Sequence, residues 1–303
     1  NRTQRYSTET RDSLSSMPSV PRLGRIGGKM VDTEVLQVVR RFKKEYYEQM
    51  DIDRLAHKLD RLTSRLDRLK DHKKLSSDLL DLYYLYLQTI ETLFINVYTF
   101  CKKDRDFPIA IFIENAKLKS FIKKEFVDCS KYSRYFINDI ILSIHEDKSE
   151  IKKDQYHNLL KECAKDYIDN YQLLNAYKHG ARASAAVGSS YMSMKLPDGQ
   201  FMKVTDGDAA IHYYSKERDS KTGEKTIYEC NLVFKKDRVA GKTLFIITLL
   251  QNLRLISLKT VGVGLSNPQK YMYFQYDKDK WHETFGGYSL KTGLFTVEKV
   301  NKK

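Results

Sequence analysis

The chain has 303 residues, 41% hydrophobic and 30% charged, a globular balance that excludes a wholly disordered chain and leaves room for two domains, each with its own core. No stretch reaches the roughly 20 uninterrupted apolar residues of a membrane span. The four cysteines, Cys101, Cys129, Cys163 and Cys230, make no CxxC pair, so buried reduced thiols in a cytoplasmic protein are expected rather than disulfides or zinc. The net charge is +14, and residues 184–303 carry 19 basic against 12 acidic side chains. Such an excess favours an anionic partner, nucleic acid before membrane, unless it serves solubility alone.

In chain order, residues 1–30 are rich in Ser, Thr, Arg, Gly and Pro and read as a flexible basic tail. The first residue is Asn1 rather than Met, which implies a removed start or a piece of a longer chain. Residues 31–187 read as an α-helical bundle. From Asp32 to Lys74 the pattern is helical, and Ile52, Leu55, Leu59, Leu62, Leu66 and Leu69 recur at alternating steps of three and four. That seam suits either a dimerising coiled coil or a hairpin packed on its own domain. Ser76-Ser77-Asp78 reads as an N-cap opening an apolar helix from Leu79 to Cys101, with Asp106 and Pro108 after it. Helical patterns follow at 109–126 and 131–145, and the last runs from Ser149 to about Ala186.

After Gly188 the texture changes to strands, so residues 188–303 are expected to form a smaller α+β unit, a mainly antiparallel sheet with one helix across it. Pro197-Asp198-Gly199 marks one hairpin and Lys221-Thr222-Gly223-Glu224 a second. A helix is predicted from Lys236 to about Val261, then strands at Tyr271–Tyr276, Gly287–Leu290 and Leu294–Val300.

Ala240-Gly241-Lys242-Thr243 imitates the end of a phosphate loop, but Lys236 stands where the loop's first Gly belongs, and the backbone cradle is therefore missing. No HExxH, no metal-spaced Cys/His cluster and no GxSxG elbow occurs, so no metal and no cofactor are expected. One pair stands apart. Asn175 and His179 are four residues apart on a predicted helix and so share a face, with Lys178 and Arg182 within a turn. An imidazole beside an amide and two cations suits metal-free RNA cleavage, His179 moving the proton and the cations holding phosphate charge. The plain alternative is a histidine near a helix C-terminus, where the helix dipole and packing favour it.

Asn175-x-x-Lys178-His179-Gly180, at the end of a helical bundle, resembles the HEPN superfamily (higher eukaryote and prokaryote nucleotide-binding). The resemblance spans about residues 40–187 by architecture and about six residues by motif. It implies a dimerising bundle of four to five helices, often a metal-independent ribonuclease of toxin–antitoxin, CRISPR or phage-resistance systems, with His179 catalytic. This chain departs where the family carries an Arg just before the polar residue, because Leu174 stands there.

In the second unit, Tyr271 and Tyr273 fall on one face of a predicted strand beside Lys270, a pattern that suits base stacking with phosphate contact or, alternatively, an ordinary amphipathic sheet. Two readings follow. One is an endoribonuclease using His179 and Asn175, with Lys178 or Arg182 on phosphate and a homodimer through the helices. The other is a non-cleaving HEPN-like protein that binds nucleic acid or scaffolds a partner.

Overall fold

The structure, a computed structural model, describes residues 32–68, 71–100, 102, 106–128, 136, 153–178, 183–195, 201–218, 223, 225–263 and 288–297. An α-helical bundle is followed by a smaller antiparallel sheet, with one long helix inserted before the last strand. The predicted tail, the 131–145 helix apart from the buried Phe136, and the Tyr271–Tyr276 strand lie outside the described residues.

The helical stretch expected from Asp32 to Lys74 is broken into α1 (Asp32–Gln49) and α2 (Ile52–Arg68). The break is made at Asp51, whose carboxylate accepts the Arg54 backbone N–H at 2.9 Å and caps α2. Helix α3 (His72–Phe100) starts about two turns before the Leu79 that Ser76-Ser77-Asp78 suggests. Asp71 is the cap, accepting the backbone N–H groups of Lys73 and Lys74, while Asp78 lies inside the helix, buried, and pairs with Arg65 at 3.0 Å. A short α4 (Phe107–Ala110) follows Asp106, and α5 (Asn115–Ile122) widens into a π-helical turn over Lys123–Asp128.

The long α6 (Lys153–Lys178) ends sooner than its composition predicts. Ala183–Val187, which reads as helix, is instead the start of strand β1 (Ala183–Lys195), because pairing with β2 (Phe201–Arg218) overrides local propensity. Strand β3 (Lys225–Phe234) continues the meander, Gly223 supplying a positive φ in the turn. Helix α7 (Lys236–Thr260) comes next, and β4 (Tyr288–Val297) closes the sheet in the order β1-β2-β3-β4, one strand where the sequence suggests two. Ala209, Ile211 and Tyr213 of β2 point into the core, while His212, Tyr214 and Lys216 face outward.

Helix α7 packs mainly against α3 and α2, with only a light contact to β2, and so enters the bundle rather than lying across the sheet. It is long and apolar enough by composition to cross a membrane, yet 67% of its most apolar window is buried within this fold, as in a core helix. Two contacts fix its position. Asp208 of β2 accepts the backbone N–H of Lys236 at 2.8 Å, capping α7 from the sheet. Arg254 donates to the carbonyls of Tyr47 and Glu48 at the end of α1. Buried apolar residues from Ile52 to Leu253 consequently form one continuous cluster shared by helices and sheet. The α2 seam is spent inside it, since Ile52, Leu59, Leu62 and Leu66 are buried there and Leu55 packs on it.

Candidate functional site

The last turns of α6 present three kinds of residue in sequence. Leu173, Leu174 and Ala176 are buried in the shared core, with Leu174 only 4% exposed. Asn175 is partly exposed on the opposite side of the helix, and its Nδ2 donates to Gln172 Oε1 at 3.4 Å. Gln172 in turn donates to the Tyr171 hydroxyl, and Lys119 of α5 lies over the Tyr171 ring, 3.4 Å from its centroid. A polar chain therefore runs Lys119–Tyr171–Gln172–Asn175 along one flank of the helix end.

Tyr177 leads in another direction. Its ring stacks on Tyr84 of α3 at 4.0 Å and 15°, and its hydroxyl donates to Asp81. Burial, then that carboxylate, pushes the Tyr177 phenol well above its usual range, so it remains a neutral donor. Lys58 of α2 stands over the Tyr84 ring, 5.7 Å from the centroid. The end of α6 is thereby tied to α3 and, through one cation–π contact, to the polar surface of α2.

The sequence-predicted site is met in part. The structure places Asn175 on the outer flank of α6 and extends that helix to Lys178; the Lys178 side chain, His179 and Arg182 lie outside the described residues, as do Lys270, Tyr271 and Tyr273. Leu174, standing where a phosphate-binding Arg belongs in the resembling family, faces the core.

The phosphate-loop lookalike has a different role. Lys242 lies within α7, buried, and its ammonium donates to Asp166 of α6 at 2.7 Å with Glu162 at 3.8 Å. Tyr86 of α3 donates to the same Asp166 oxygen at 2.7 Å. Burial works to lower the Lys242 pKa, but Asp166, with Cys163 and Glu162 behind it, outweighs that and holds the ammonium above its usual value. Burial pushes the neighbouring Cys163 thiol up to about 12, so it is a packed thiol rather than a nucleophile. This cluster ties α3, α6 and α7 together.

On the outward face of the sheet, His212 Nε2 meets Glu229 Oε1 at 2.8 Å, with Tyr214 edge-on to the imidazole. Pattern reading missed this pair, since only the β2–β3 register brings residues 17 apart together. Among the described residues no group of His, Cys, Asp and Glu is arranged to hold a metal ion. In comparison with known proteins, the chain matches no family model, no curated protein and no solved structure.

Proposed function

We propose that this chain is a HEPN-like protein that binds RNA without cleaving it. The observation that supports the reading is the burial of Leu174. In the resembling family the residue at this point carries the charge that neutralises phosphate, and here the backbone aims it into an apolar core where a guanidinium would be desolvated at large cost. Stabilising a developing phosphate charge needs a donor held against it, and removing one such donor typically costs about a hundredfold or more in rate. The polar flank that remains, Lys119–Tyr171–Gln172–Asn175, supplies donors and ring surface suited to holding a strand.

The test is a titration of the full chain into a labelled single-stranded RNA at several salt concentrations. Saturable binding that weakens steadily as salt rises supports the reading. Salt-insensitive or absent binding removes it. The second reading, a metal-independent endoribonuclease, is favoured by one observation: Asn175, four residues before His179 in the sequence, faces outward from α6.

A further inference from the structure

Helix α2 has three chemically distinct faces. Its apolar seam, Ile52 to Leu66, is buried against α3 and α7. At 100° per residue, Arg54, Lys58, Arg61, Arg65 and Arg68 line up on a second face about 120° away, and Asp53, Asp60 and Asp67 occupy a third. A helix whose charges serve only solubility or local ion pairing mixes the two signs at i, i+4. Here the signs are segregated, and the acidic face has a partner at the surface of the fold, where Asp67 holds Lys236 of α7 at 2.8 Å.

On the cationic face, Arg65 is committed to the buried Asp78 and Lys58 to the ring of Tyr84. Arg54, Arg61 and Arg68 are exposed, and none has a carboxylate partner among the described residues. On α3, Asp78 is occupied by Arg65 and Asp81 by the Tyr177 hydroxyl. The row from Arg54 to Arg68 covers about 21 Å at 1.5 Å per residue, enough to run beside several consecutive phosphates of one strand. Lys58, toward the Arg54 end of the row, stands over the Tyr84 ring of the Tyr84–Tyr177 stack, and Tyr177 is two residues before His179.

We propose that the cationic face of α2 is the track for the phosphate backbone of a single-stranded RNA, with the Tyr84–Tyr177 pair as its aromatic end beside the α6 terminus. This rests on the RNA-binding reading above and supplies from α2 the charge that Leu174 denies to α6. Guanidinium forks match phosphate oxygens, and rings beside them let a base continue the stack. A membrane surface fits poorly, because an interfacial helix needs its apolar face free and that of α2 is buried.

The test compares the full chain with the triple variant Arg54→Glu/Arg61→Glu/Arg68→Glu, with Arg54→Gln/Arg61→Gln/Arg68→Gln as a milder form should the first unfold. The control is Lys74→Glu/Lys117→Glu/Lys124→Glu, which makes the same change in net charge at exposed lysines engaged in local pairs. The probe is a fluorescein-labelled oligouridine followed by anisotropy over a salt series. The stripe variant should lose roughly tenfold or more in affinity, and its salt slope should fall by about 2, or about 0.7 for each phosphate contact removed. The control should keep the wild-type slope. RNA binding by the wild type with equal losses in stripe and control overturns the track and leaves the RNA reading standing. No RNA binding by the wild type overturns both, and so does retention of an acidic polyglutamate peptide, but not RNA, through the stripe.

Discussion

Leu174 and Lys242 show how little a residue's type says about its task until its direction is known. Replacing Leu174 with Arg would rebuild the family's motif on paper, but the side chain would enter the core beside Leu173 and Ala176. We expect Leu174→Arg to destabilise the fold by on the order of 3 kcal/mol or more in urea denaturation and to confer no RNA cleavage; a stable, cleaving variant would contradict the placement. Lys242 only imitates a phosphate-loop lysine in sequence, flanked by Gly and Thr but without the loop's first Gly, and its partner Asp166 is 76 residues away, where no local pattern announces it. Lys242→Met should cost about 3 kcal/mol, since it strips the cation from partly buried Asp166 and Glu162. Adding Asp166→Asn should recover part of that loss, and a double-mutant cycle in thermal denaturation measures the coupling. The same burial shields Cys163, which native-state iodoacetamide should leave unmodified by peptide mapping while denaturant exposes it.

At the scale of elements, periodic segments were legible and their ends were not. The α2 seam is visible as alternating three- and four-residue steps, but the same steps serve a coiled coil and a buried helix, and only tertiary contacts show that α3 and α7 fill it. The cap of α3 is Asp71, while Ser76-Ser77-Asp78 offers the same chemistry five to seven residues later, where Asp78 pairs with Arg65 instead. Ala183–Val187 is strand against its composition, since a long neighbour, β2, is there to pair with it. Within that neighbour, Gly207 approaches β3 so closely that a Cβ would lie 2.3 Å from the Phe234 carbonyl oxygen. Gly207→Ala should therefore cost on the order of 1–3 kcal/mol. It should also shift Asp208, whose carboxylate caps α7, which amide exchange in the first turn of that helix would report.

At the scale of the whole molecule, the change of texture from helices to strands was readable from composition. The insertion of α7 into the bundle was not, because a helix apolar on most sides fits either a sheet or other helices. One consequence is a core that buries many titratable hydroxyls and thiols. Burial pushes Tyr46 and Cys163 up to about 12 and drives Tyr83 and Tyr86 well above the usual phenol range. The unfolded chain releases these protons near the ordinary 9.0 and 10.0, while the folded chain keeps them. Each raised group thus contributes stability that is complete below its unfolded value and lost as pH climbs toward its folded one. Denaturation midpoints should stay level on this account up to about pH 9 and fall steeply beyond it. The claim on which the functional account turns is that RNA is held and left intact. Incubating excess full-length chain with labelled single-stranded RNA in EDTA, then running native and denaturing gels in parallel, tests it directly. The account predicts a shifted band on the native gel and full-length RNA on the denaturing one, for wild type and His179→Ala alike; fragments made by the wild type and not by His179→Ala would contradict it.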